Sequence, residues 1–431
     1  MAMDSCSYKH TAKHVLMAFG LFALGIMLGH FTSRTNVDTI KETASLSRQR
    51  RSTHAPCKFT TVQTQAGRNF DARYSKNVLS KKHACVNSRK ECLGFGLPRN
   101  YNAYHLDMKS ILIDGKVDDD AWTEVPWSEL FVDIRSEVYP KPIYDTKFKL
   151  RWDDNNLYFA AVLQDNHLWA TKTSNDSELW SENSFSLLIA ADDSLFNYKQ
   201  IDVNVLGTVT DLLMKKSYYD APGQLVHNLK WDSNATVGVY TPGTINTPGD
   251  RDQYWSVEIS VPFETLAIMT NRVEQAPNNN EVWFLQLART QHVLRLTKDG
   301  QYEIVPNISG KWWAWQPSGA INLHLQDRWG LVQFKRTNTD RKFEFQNWHI
   351  YKALFDVLEA MKVFKAKNGV YASTLEELDI PPYLLSHTCV DVPEISMREN
   401  RSQADFDINV RSMVFDFPPA YIRSDKFVTM W

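Results

Sequence analysis

Between Ile111 and Phe334 the chain repeats one pattern: short runs with apolar side chains at alternate positions, separated by clusters of Asp, Asn, Gly and Pro. In Lys147–Trp152, Phe148, Leu150 and Trp152 share one face and the charged residues the other, the period-two signature of a half-buried strand. Asp153-Asp154-Asn155-Asn156 reads as a turn, because these side chains bond their own backbone and tolerate unusual φ. Leu157–Leu163 follows as a second strand. The same reasoning marks Phe185–Ala190, Ile201–Val205, Thr236–Tyr240, Trp255–Val261, Val282–Ala288, Ile321–Leu325 and Gly330–Phe334. Many short strands with few helical runs predict a mainly β fold, an antiparallel β-sandwich of jelly-roll type.

This block is also where the indoles are: of 14 Trp in 431 residues, 12 lie from Trp122 to Trp329. Charge gives no second clue. With 48 Lys and Arg against 50 Asp and Glu, the chain lacks the basic excess of a general nucleic-acid binder. No GxGxxG or GxxxxGK[ST] string occurs, so nothing points to a nucleotide fold.

The N-terminal part is of another kind. Residues 1–14 read as a short cytoplasmic tail. Val15–Phe31 (VLMAFGLFALGIMLGHF) carries no Asp, Glu, Lys or Arg and sits at the lower length limit of a membrane-spanning helix. A signal peptide is the alternative, but His30-Phe31-Thr32-Ser33 offers no clean small-residue cleavage site, so an anchor is expected. Residues 32–98, rich in polar and basic residues, read as a flexible stalk. Arg48-Gln49-Arg50-Arg51 within it reads as a solvated basic cluster, with a processing site as the alternative, where cleavage would release the rest of the chain. Cys57, Cys85, Cys92 and Cys389 are even in number and could form two disulfides in any pairing. Sequons stand at Asn175, Asn234, Asn307 and Asn400. Cysteines and sequons together place the bulk of the chain in a lumenal or extracellular space.

The strand block carries a resemblance. Ile113-Asp114-Gly115-Lys116-Val117-Asp118 followed by Trp122, the strand–turn–strand from Leu150 to Ala161, DSELWSENSFSLLI from Asp176 to Ile189, Gly243–Asn246 with Trp255–Ile259, and the closing Trp329–Phe334 are together similar to carbohydrate-binding modules of family 9. The resemblance spans about Ile111 to Phe334, and the domain is set at residues 99–335. It implies a β-sandwich that binds sugar without chemistry, often with calcium. It also implies a site in which two Trp clamp a terminal sugar while amide and charged side chains take its hydroxyls. Trp180 matches the first Trp, and the second falls in Trp312-Trp313-Ala314-Trp315, best at Trp313 or Trp315. Gln286 matches a sugar-contacting Gln. Two positions depart: a Glu of the family is Ser186 here and an Arg is Asp202. A pyranose has an apolar C–H face and a hydroxyl rim, so flat aromatic walls with a few fixed polar groups suit it. Trp122, Trp152, Trp255 and Trp329 read as packing residues.

For calcium, Asp118–Asp120, Asp153–Asn155 and Asp165 offer oxygens, but none is assigned as a ligand. The alternative to a binding domain is a carbohydrate-active enzyme or its accessory subunit, an O-glycosyl hydrolase or a glycosyltransferase. Asp-x-Asp strings at Asp118–Asp120, Asp250–Asp252 and Asp405–Asp407 would serve a transferase, but the βαβ alternation of a nucleotide-sugar domain is missing. No catalytic residue is assigned. Residues 336–431 read as a small helical or mixed extension. In it Tyr351, Leu354, Phe355, Leu358, Met361 and Phe364 form the stripe of an amphipathic helix closed at Asn368-Gly369. Ser373–Glu376 resembles a capping box, and strands are expected at Asp405–Val410 and Ser412–Phe417.

Overall fold

In the computed structural model the described residues are 92, 94, 96–220, 225–272, 275–308, 310–380, 389–400 and 403–430. The first half runs β1 (Asn100–His105), a helical turn α1 (Asp120–Thr123), β2 (Val132–Asp133), the hairpin β3 (Thr146–Trp152) and β4 (Asn156–Gln164), β5 (Ser184–Ala190), β6 (Tyr198–Val203) and β7 (Val209–Met214). It continues with β8 (His227–Asn228), β9 (Thr236–Tyr240), β10 (Tyr254–Pro262), a second turn α2 (Phe263–Leu266), β11 (Val282–Gln291), the small hairpin β12 (Leu294–Leu296) and β13 (Tyr302–Ile304), β14 (Lys311–Ala314) and β15 (Gly330–Lys335). After it come the long helix α3 (Trp348–Asn368) and a four-stranded sheet of β16 (Glu394–Asn400), β17 (Gln403–Val410), β18 (Ala420–Arg423) and β19 (Val428–Met430).

The expected antiparallel sandwich of two sheets is corrected on its topology. Thirteen strands hydrogen-bond into one continuous sheet, in the order β8-β7-β6-β5-β11-β15-β1-β3-β4-β10-β9, with β14 and β2 branching from β11. The join is β1, which is parallel to both of its neighbours, β15 and β3. The sheet curls so that its two limbs face each other in sandwich-like fashion. Phe185, Leu187, Leu285 and Val332 from one limb share a core with Phe148, Leu150, Phe159 and Ile259 from the other. Side-chain bonds secure the seam: the Trp152 indole donates to the Ala103 carbonyl at 2.9 Å, and the Arg151 guanidinium reaches the carbonyls of His105 (2.6 Å) and Ala121 (2.7 Å).

The predicted strands at 147–152, 157–163, 185–190, 236–240, 255–261, 282–288 and 330–334 fall within β3, β4, β5, β9, β10, β11 and β15. Ile321–Leu325 and Ser412–Phe417 form no strand, while β1 and β7 were not foreseen. The extension is mixed, and the strand expected at Asp405–Val410 lies within β17. Beside its helix it carries the β16–β19 sheet, and its apolar side chains (Leu354, Leu358, Phe406, Ile422) pack with Leu188, Tyr198, Leu212 and Phe284 on the outer face of β5, β6, β7 and β11. The helix ends as the stripe requires, with Gly369 at φ +81° in the left-handed region and its N–H on the Lys365 carbonyl. At the next turn Ser373 pairs with Glu377 rather than Glu376.

The expected N-terminal membrane helix is not found among the described residues: no helix there is long and apolar enough to cross a membrane. The segment 15–31, the Arg50-Arg51 pair, Cys57 and Cys85 all lie outside the described residues.

Two long-range ties organise the fold. The first explains Ile113-Asp114-Gly115. Glu258 of β10 is fully buried and accepts the N–H groups of Asp114 (3.2 Å) and Gly115 (2.9 Å) and the Trp122 indole (2.7 Å). Gly115, at φ +88°, lies so close to Val239 and Tyr240 that a Cβ would meet their backbone at 2.4 Å. Burial pushes the Glu258 carboxyl up to about 7 against the pull of its three donors. Because the folded value exceeds the ordinary 4.5, its contribution is fully present below about 4.5 and is lost as pH rises through about 7. Stability should therefore decline over that window, and Glu258→Gln should flatten the decline in urea titrations taken at several pH values. An unchanged slope would remove Glu258 as its source.

The second tie is the Cys92–Cys389 disulfide, which links residues 297 positions apart, both buried. It fastens the chain ahead of β1 to the C-terminal unit. Cys389→Ala should lower unfolding stability by about 2–5 kcal/mol in oxidising buffer, and reductant should have the same effect on the parent protein. Coincident denaturation curves with and without reductant would contradict this.

Candidate functional site

The pleat decides which side chains reach the outer face of the β5–β6–β7 limb. Directly paired residues share a face. One row runs Ala314, Ala288, Ser186, Asp202 and Thr210 across β14, β11, β5, β6 and β7. The next runs Trp312, Thr290 and Ser184. All of these lie opposite the core-facing Phe185 and Leu187. The outer face therefore has an apolar half under the C-terminal unit and a polar strip beside it.

The 3₁₀ turn Leu179–Ser181 sits at the edge of this strip, in contact with β6. The Thr210 hydroxyl donates to the Ser177 carbonyl and ties the segment to β7. Leu179 plugs the interior while Trp180 points out, 44% exposed. Trp180 is thus presented at a rim by a buried neighbour. On the far side Trp312 is half-buried against Ala288 and Ala314.

The other expected site residues have different roles. Trp313 and Trp315 carry the opposite phase of β14 and its continuation, and both are buried in the inner core at 4% and 0% exposure. Trp313 packs against the Arg289 guanidinium, and the Trp315 indole donates to Glu129 at 3.0 Å. Neither ring is a surface on which a sugar could stack. Gln286 is fully buried, and its amide is committed at both ends to the Gln316 backbone: Nε2 donates to the carbonyl at 2.7 Å and Oε1 accepts the N–H at 3.3 Å. It positions the chain that follows β14. Trp122, Trp152, Trp255 and Trp329 are all core residues.

On the strip and in the segment just before β5 several polar atoms are buried yet without a hydrogen-bond partner: Asn183 Nδ2, Ser184 Oγ, Gln200 Oε1 and Asp202 Oδ1. Both ring nitrogens of the neighbouring His292 are also unpartnered. Asp202 itself is fully buried, and its other oxygen accepts the Gln200 amide at 2.8 Å. Burial pushes its carboxyl up to about 6, with Ser186 and Gln200 pulling it the other way. Buried polar atoms are ordinarily satisfied, so such a cluster marks a place suited to an outside partner. Ser184, Gln200 and Asp202 present acceptors and Asn183 a donor, the two needs of a sugar hydroxyl.

Three of the acidic groups named for calcium are engaged within the chain. Asp165 pairs with Arg289 at 2.7 Å, Asp153 accepts the N–H groups of Asn155 and Asn156, and Asp119 accepts that of Leu112. Among the described residues no three His, Cys, Asp or Glu side chains converge as a metal site would need. The Asp-x-Asp strings are turn and strand chemistry too: Asp252 caps the backbone of Leu168 and Thr244, and Asp407 pairs with Arg398. Of the sequons, Asn175, Asn234 and Asn307 are exposed, and Asn400 ends β16.

Residues 113–280 match the family model for the carbohydrate family 9 binding domain-like group. This region is a family 9-like domain. Two solved structures of a family 9 module from Caldicellulosiruptor kristjanssonii are similar to the chain. The one in complex with cellotriose is 16% identical, covers 57% of this chain and 99% of its own, and has a TM-score of 0.35. The one in complex with glucose is 17% identical, covers 56% and 98%, and has a TM-score of 0.34. No curated protein matches the chain. The family-model match ends at residue 280, so β11 to β15 and the C-terminal unit lie outside it.

Proposed function

We propose that the family 9-like domain binds carbohydrate without chemistry, at the strip bounded by Trp180 and Trp312. The observation that carries this reading is an exposed indole on the turn that leads into β5 and touches β6, together with the unpartnered buried polar atoms of Asn183, Ser184, Gln200 and Asp202 on or next to those strands. Trp180 supplies the apolar wall for the C–H face of a sugar ring. Asp202 and Gln200 accept from hydroxyls, and Asn183 donates. The family match at 113–280 supports the same reading. Hydrolysis would require two carboxylates facing each other across a cleft. On this strip Asp202 has no such counterpart, because the Glu182 oxygens are taken by the Thr171 N–H at 2.9 Å and the Asn204 amide at 2.8 Å. A lumenal or extracellular setting, with glycans at the exposed sequons, belongs to the same proposal.

Trp180→Ala should reduce binding to a glycan array by at least tenfold while the thermal midpoint stays within a degree or two, since the ring makes little core contact. Undiminished binding would move the site elsewhere. Sugar hydroxyls donate better to an ionised Asp202, so affinity should weaken as pH falls through about 6. Asp202→Asn should remove that dependence. Titration calorimetry at pH 5 and 7.5 decides it, and a pH-independent affinity in the parent protein would exclude Asp202 from contact.

A further inference from the structure

A concavity lies on the outer face of the sheet at β1. It is a cleft of about 780 Å³, floored by Asn100, Asn102 and Tyr104 and walled by Trp127 and Glu129 on one side and Arg341 on the other. The pleat places the floor: Tyr101 and Ala103 belong to the inner core, so their alternates face outward.

The walls are held in place. The Tyr101 hydroxyl donates to the Pro126 carbonyl at 2.7 Å, and Ser128 is paired with the Phe148 backbone through both its N–H (2.9 Å) and its hydroxyl (3.0 Å). The opposite wall is tethered by the Asn102 amide, which donates to the Arg341 carbonyl at 2.9 Å. The side-chain carbonyl of Asn102 is buried and has no hydrogen-bond partner. The Trp127 ring is only half-buried, and the Lys147 and Lys149 ammonium groups stand 4.6 Å from its centroid.

Charge narrows the occupant. Glu124 at the cleft edge is already paired with Arg151 and Lys109, and Glu129 accepts the Trp315 indole. Arg341 offsets them among the lining residues, so neither sign dominates, and a strongly anionic or cationic ligand gains little. The volume suits a ligand of a few rings. An indole wall, amide groups of both polarities, a phenol and a neutral balance together match a molecule with an apolar face and a hydroxyl rim.

We propose that this cleft is a second saccharide site, separate from the Trp180 strip. Two sites on one rigid domain would let the protein grip a polysaccharide at two points and raise its effective affinity.

The test titrates the full chain with cellotriose, maltotriose and chitotriose in turn, following the indole N–H signals of Trp127 and Trp180 by NMR, each assigned by its loss in the matching Phe variant. In Trp180→Ala, the Trp127 signal should still shift saturably with at least one trisaccharide. Arg341→Ala, an exposed position whose loss leaves the core intact, should weaken that shift at least threefold, and Asn102→Asp should weaken it as well. No saturable Trp127 shift with any of the three, or a shift untouched by both substitutions, overturns the proposal. A wild-type response confined to Trp127 upholds the cleft while removing the strip. A response confined to Trp180 does the reverse.

Discussion

Two sheet edges, those of β15 and β3, are satisfied by one strand. An unpaired edge exposes a row of backbone donors and acceptors, and β1 covers both by lying parallel between them. The domain depends on this insertion. It makes one sheet out of two limbs, draws the limbs together over a shared core and places the outward side chains of β1 at the bottom of a cleft. The Cys92–Cys389 disulfide acts on the same strand from outside, since it anchors the chain just before β1 enters. Trp152 and Arg151 fix it from within.

The second organising constraint is the C-terminal unit. Helix α3 and the β16–β19 sheet bury the apolar half of the outer face of β5–β7 and β11, and a buried ion network seals the contact: Lys426 lies 2.6 Å from Asp327, and Lys362 2.7 Å from Asp220. Lys426 and Asp327 hold each other charged in the interior, which keeps the Asp327 carboxyl well below its usual range. The extension is therefore part of the fold. The polar strip lies beside the half it covers, and of the strip's bounding residues Trp180 is exposed and Trp312 half-buried.

The two proposed surfaces lie on the same outward side of the sheet but arise differently. The strip is a flat row of cross-strand neighbours with an indole at its rim. The cleft is a trough between loops. In each, one ring from a segment outside the strands, Trp180 or Trp127, stands near polar groups that the pleat turns outward.

Local physics made much of this legible in the chain itself. Period-two alternation located β3, β4, β5, β9, β10, β11 and β15, because each strand has one face against the core. The periodic stripe and Gly369 located the helix and its end. Trp180, which the resemblance matched to a stacking Trp, is 44% exposed. Which Trp of the 312–315 run faces outward was not legible. Indoles occupy both phases of that strand, and only its pairing with β11, Trp312 against Thr290, decides that Trp313 and Trp315 point inward. Gln286 looked like a sugar contact in the chain, but Gln316, 30 positions away, takes both ends of its amide. The parallel insertion of β1 was equally hidden, since Asn100–His105 acquires its partners from residues up to 231 positions downstream. Alternation along one strand reports which residues share a face. Which face meets the core, and what covers the other, is settled by partners distant in sequence, and that is the part tertiary structure decided.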